Sequence, residues 1–142
     1  MPRWHRLLKH FCNMAFLDDP KSSRFDQRLR DDLEKLFQNK DSADVTFILP
    51  DGKVHAHRSI LIARVPVFEA MFLSGMKESQ TNQVEILDSD VKSFEVFLQY
   101  IYCGKFPESR LRGKLIKGLL FLARKYDAPN LLDQCLPKFR QR

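Results

Sequence analysis

The 142-residue chain holds only five glycines and seven prolines and has no low-complexity tract, so little of it is suited to linkers or disorder. Its three cysteines, Cys12, Cys103 and Cys135, are odd in number and far apart. That spacing argues against a disulfide framework and for a reducing compartment. No apolar run approaches the roughly 20 residues that a membrane-spanning helix needs, so no membrane partner is expected. The first residues are basic but lack an apolar core with a small-residue cleavage site, so they do not read as a secretory signal. Cytosol or nucleus is the expected location. Also missing are a glycine-rich phosphate loop, a nucleophile elbow and a metalloprotease helix, and no catalysis and no cofactor are expected.

What the chain does have is a hydrophobic share of 44% and twelve phenylalanines. A single domain of this size buries roughly 68–70% of the surface its unfolded chain exposes, so it needs no metal or disulfide staple. The net charge of +6 is unevenly spread. Residues 1–40 carry nine Lys/Arg against six acids, residues 41–104 five against nine, and residues 105–142 ten against three. A basic last third attracts nucleic acid or acidic partners, or forms an ordinary solvated face. No recognition motif accompanies it, so nucleic acid is not expected as a partner.

Trp4, Leu7, Leu8, Phe11 and Ala15 fall at helical spacing among basic residues, with no acid before Asp18. The pattern fits a membrane-surface or presequence helix, or more plainly a helix packed on the domain or a partner. A linker follows, with Ser23 as a candidate N-cap. Over residues 24–40, Phe25, Leu29, Leu33, Leu36 and Phe37 form one apolar stripe. Leaving five such side chains in water forgoes roughly 8–15 kcal/mol of gross transfer free energy, so something must cover them.

Residues 44–49 and 53–56 read as a hairpin around Pro50-Asp51-Gly52. Residues 58–63 read as a short buried helix, with Ile60, Leu61, Ile62 and Ala63 in succession. Pro66 opens a second helix over 67–73 that ends at Gly75. Val84-Glu85-Ile86 is a short strand. Ser89 or Asp90 caps a helix over 91–103, whose apolar face is Val91, Phe94, Phe97, Leu98 and Ile101, and Gly104 stops it. Residues 105–107 are a candidate edge strand. A helix over 114–126 follows, and a last one opens at Pro129 and closes at Pro137. Early short strands followed by helical hairpins give an α+β class.

His55 and His57, as alternate residues on a strand, point to one face, which invites a metal reading, but no second ligand pair lies near. Cys103 and Cys135 sit on apolar helical faces and read as core. Asp44 and Arg58, if buried, must pair, because stripping one partner from a buried ion pair costs about 3–5 kcal/mol.

Taken in order, Asp44-Val45, His55-Ala56-His57-Arg58, Leu61, Arg64, Pro66, Phe68, Met71-Phe72, Met76-Lys77-Glu78, Val84-Glu85-Ile86 and Phe97-Leu98-Gln99-Tyr100-Ile101-Tyr102 resemble the BTB/POZ domain. The look is nearest to the speckle-type POZ group, and the resemblance runs roughly from Phe25 to Leu136. It implies an α+β fold with a small three-stranded sheet flanked by helical hairpins and led by an amphipathic dimerisation helix. The implied divisions are a basic segment over 1–23, the domain over 24–136 and a basic tail over 137–142.

The resemblance also implies a non-enzymatic protein-interaction module, a homodimer or a heterodimer with other BTB proteins. Phe25, Leu29, Leu33, Leu36 and Phe37 would lie in the dimer interface, with the alternative that they pack on their own domain. Asp44 and Arg58 would flank a charged pocket or simply fix the hairpin, and both histidines would pack and hydrogen-bond. Met76 and Glu78, with Phe72, would contact the cullin-three scaffold of a ubiquitin ligase from a loop, with the alternative that Met76 folds back onto its own core and Glu78 is a solvated loop acid. The other reading is a stand-alone dimerisation or corepressor-type module without a ligase role. Adaptors of this group carry a separate substrate-recognition domain, for which this chain leaves no room, and further helices beyond Leu136.

Overall fold

The computed structural model describes residues 20–105, 109 and 111–140. The expected helix over the first residues and the candidate edge strand lie mainly outside this set. The alternation Val45, Phe47, Leu49 puts three large side chains on one face of β1 (Val45–Leu49), and all three are buried. The Pro50-Asp51 turn returns the chain as β2 (Gly52–Ala56), antiparallel to β1 with Phe47 opposite Val54. β3 (Gln83–Glu85) joins the other edge of β1 in parallel, Val84 opposite Phe47, and gives the order β2-β1-β3. The central strand therefore collects its partners from opposite sides of a long helical excursion.

That excursion is α2 (Arg58–Arg64), α3 (Pro66–Leu73) and α4 (Lys77–Thr81). Val65 between the first two is extended, as a residue before proline prefers, and this divides them. Only Leu61 of α2 is buried, and Ala63 is exposed, so this helix is less sunken than its apolar run suggests. After β3, Asp90 caps α5 (Val91–Cys103), accepting from the Ser93 N–H at 3.2 Å. Gly104, at φ +70°, ends it in the left-handed conformation that suits glycine. α6 (Lys114–Lys125) and α7 (Pro129–Arg140) complete the helical side.

Aromatic rings join the layers. Phe47 of the sheet meets Phe94 of α5 at 4.7 Å and Phe68 of α3 at 5.6 Å between centroids. Tyr126, just past α6, meets Phe68 at 4.8 Å and Phe97 at 5.5 Å. The expected α+β class, with helices around a small three-stranded sheet, is what the chain adopts. Two boundaries differ from expectation. α1 (Pro20–Gln38) begins before Ser23, with Pro20 at the first helical position, where a missing N–H costs nothing. α7 runs through Pro137 to Arg140 and does not stop there, because proline forfeits one helical hydrogen bond without ending the turns around it.

Candidate functional site

The apolar stripe of α1 is divided between two environments. Phe37 is only 7% exposed and belongs to the core, its ring edge-on to Tyr102 at 5.1 Å, and Leu36 packs against that core. Leu33 is half-buried, whereas Phe25 and Leu29 are 66% and 46% exposed. This corrects the expectation of one continuous interface: the helix keeps its stripe on one face, but only its last turns lie over the domain. Lys105 fastens that docked half, donating to Asp31 at 2.9 Å and to Glu34 at 3.2 Å. The hydrogen bond from Lys105 holds the Asp31 carboxyl below its ordinary range.

Asp44 and Arg58 do not form the expected side-chain ion pair. The exposed Asp44 carboxylate accepts the backbone N–H of Arg58 at 2.7 Å, and so caps α2 from the residue before β1. His57, in the cap position itself, supplies no side-chain cap bond. The Arg58 guanidinium turns elsewhere, donating to the Phe72 carbonyl at 2.9 Å and to the Asn82 side-chain oxygen at 3.3 Å. It thereby holds both ends of the segment that carries Met76 and Glu78. Asn82, at φ +53°, closes α4 in a left-handed turn that asparagine tolerates, and its carbonyl accepts from the Thr46 N–H at 3.0 Å.

Within that segment, Met76 does not lie in a loop but at the N-cap position of α4, where it is 61% exposed. Glu78 is half-buried in the first turn. Phe72, expected at the contact, is only 1% exposed and is a core residue, because α3 turns that side inward. The neighbouring Leu73 is the exposed one, and sequence reading passed over it.

β2 ends at Ala56, so His55 and His57 do not share a face: His55 is exposed and His57 buried. The Tyr102 hydroxyl accepts the backbone N–H of His57 at 2.7 Å and lies 2.7 Å from its Nδ1. Because the Ser42 hydroxyl proton goes to the Asn39 carbonyl, Ser42 Oγ accepts from Nε2, and the Tyr102 hydroxyl gives its own proton to Nδ1. The ring proton is then on Nε2 and is donated to Ser42 Oγ at 2.8 Å. Ser42 passes its proton to the Asn39 carbonyl at 3.3 Å. Burial lowers the His57 pKa and pushes the Tyr102 hydroxyl up to about 12, so both stay neutral at ordinary pH. The signal for this chain was Tyr102, a polar tip on an otherwise apolar helix face.

Among the described residues no group of three or more His, Cys, Asp or Glu side chains is placed to hold a metal ion. Cys103 and Cys135 are free and buried, and burial raises both thiols, the opposite of an activated nucleophile. No helix among the described residues is long and apolar enough to cross a membrane.

The sequence profile of the BTB/POZ domain matches residues 33–142. A BTB/POZ domain-containing protein of Arabidopsis thaliana is 39% identical over 92 residues, covering 65% of this chain and 27% of that protein. TD and POZ domain-containing protein 3 of Mus musculus is 43% identical over 79 residues, 56% of this chain and 22% of its own length. The chain thus spans about a quarter of the length of these relatives. In three dimensions it is similar to the BTB domain of zebrafish PATZ1, with a TM-score of 0.62 at 20% identity, over 80% of this chain and 92% of that one. A profile match over most of the chain, on a fold that superposes on a solved BTB domain, makes this chain a member of the BTB/POZ family, whose domains are protein-interaction modules and typically dimerise.

Proposed function

We propose that this chain is a non-enzymatic adaptor of the speckle-type POZ kind, working in the cytosol or nucleus. It dimerises, with itself or another BTB protein, through the exposed half of α1, and recruits the cullin-three scaffold of a ubiquitin ligase through Leu73, Met76 and Glu78. The observation that carries the reading is Met76, 61% exposed at the head of α4, in a segment clasped at both ends by Arg58. A methionine held outward on a braced segment can fill a shallow apolar pocket on a helical partner, and Glu78 can pair beside it. Phe25 and Leu29 supply the apolar contact that a second domain would cover. A dimerisation or corepressor-type module would use the same α1 face and leave Met76 idle.

Calorimetric titration with the N-terminal domain of cullin-three separates the two. Expected is binding that disappears in Met76→Ala/Glu78→Ala, with thermal stability unchanged. A folded dimer that ignores the scaffold refutes the ligase reading and leaves the dimerisation module. For the dimer, light scattering of Leu29→Asp should give a monomeric mass from a folded chain, and an unchanged mass would refute the α1 interface.

A further inference from the structure

The basic excess of the last third finds no use in the adaptor reading. On α6, Lys114, Lys117, Phe121 and Arg124 recur at the helical period and are exposed together. Phe121 is 44% exposed and Leu87, just beyond β3, is 80% exposed. The two line one open groove of about 480 Å³, together with Ser89, Asp90, Lys114, Lys117 and Gly118. Gly118 lets α6 lie close against α5 behind it; a Cβ there would stand 2.5 Å from the buried Ser93 Oγ.

The charges along this groove are unequally committed. The Asp88 carboxylate is held by Lys125 at 2.7 and 2.9 Å. The Asp90 carboxylate is taken up by the Ser93 N–H and hydroxyl at 3.2 and 2.7 Å. Lys117 and Arg124 have no acid partner among the described residues, and Lys114 has only the distant field of Asp90. With Asp88 paired to Lys125, Lys114 and Lys117 on the α6 side face only the Asp90 carboxylate, so one positive charge is left over there, and two large apolar side chains lie in the water beside it.

We propose that the Leu87–Phe121 groove docks an acidic peptide segment of a partner protein, its apolar side chain against Leu87 and Phe121 and its carboxylates toward Lys114 and Lys117. Charge complementarity selects a peptide over a nucleic acid. A phosphate backbone carries charge at every unit and would meet Asp88 and Asp90 on the opposite wall, whereas a peptide can keep its acids to one side. This surface is separate from the residues assigned to cullin-three, so either reading can fail alone.

The test is selection of a randomised twelve-residue peptide display library on the full chain, with anisotropy titration of the enriched peptides. Expected is a consensus of acids around a leucine or phenylalanine. Affinity should fall at least tenfold in Phe121→Ser and again in Lys117→Glu, and weaken as salt is raised. Both residues are on the surface, and unchanged thermal melting verifies that the variants fold. Peptides without acids, no consensus, or affinity unaffected by these variants would overturn the proposal. So would tighter binding of a dT20 oligonucleotide or of phosphatidylserine vesicles that the same variants abolish. A change of mass in Phe121→Ser would overturn it in favour of a contact between copies.

Discussion

Replacing Tyr102 by phenylalanine removes one oxygen and leaves two polar groups stranded. The hydroxyl accepts the His57 N–H and donates to its Nδ1, each at 2.7 Å, in a buried setting that includes the Phe37 ring. A buried polar group left without a partner costs about 1–3 kcal/mol, and the relief of not burying the hydroxyl offsets part of that. The net loss expected is about 2–4 kcal/mol. At about 4 °C per kcal/mol for a domain of this size, the melting temperature should drop by roughly 8–16 °C. Circular dichroism melts near pH 7.5 measure it, and a drop under about 2 °C would show that the hydroxyl does not satisfy these groups.

The same network sets a pH dependence. Burial holds His57 below its ordinary 6.5, so in acid the unfolded chain takes up the proton before the folded one does. Asp44 opposes the shift and Lys40 adds to it. The unfolded state then binds more protons, and stability rises with pH. His57 contributes fully above about 6.5, and the contribution is lost as pH falls through the folded value. In His57→Gln the fall in melting temperature between about pH 7.5 and 5.5 should shrink. An identical fall would assign the acid sensitivity to other groups.

Asp44→Ala should lose about 1 kcal/mol by uncapping α2, read as a lower urea midpoint with an unchanged slope. Arg58→Met should weaken cullin-three binding at least threefold in calorimetry, although Arg58 is not assigned to the contact, because it frees both ends of the Met76 segment; unaltered affinity would show the segment holds its shape without it. Gly118→Ala should destabilise by about 1–3 kcal/mol despite alanine's better helix propensity, since the added Cβ meets Ser93. Ser93→Ala in the same chain should recover part of that in a thermal melt.

Much of the fold was legible because periodicity reports burial directly. Val45, Phe47 and Leu49 alternate, and Phe94, Phe97, Leu98 and Ile101 recur at helical spacing, and all seven are buried. Proline and glycine punctuation located Pro66 and Gly104. The failures share a cause: the partner of a polar group is a tertiary fact. Asp44 and Arg58 looked like ions to be paired, yet one caps a backbone N–H and the other holds carbonyl-type oxygens at Phe72 and Asn82. Phe72 and Leu73 are adjacent and equally apolar, so composition cannot say which of them faces inward. The stripe on α1 announced that it needed covering, but not that its own domain covers Phe37 and leaves Phe25.

That division of α1 changes what a partner encounters. An isolated helix is costly to start in water, because its first turn fixes several torsions for a single hydrogen bond, a nucleation factor of about 10⁻³. Here the turns around Phe37, clamped by Lys105, serve as that nucleus inside the domain itself. The remaining turns, out to Phe25, propagate from a formed end at a much smaller cost per residue. Whatever covers Phe25 and Leu29 therefore meets a helix already wound, and association spends its free energy on contact and not on coil-to-helix ordering.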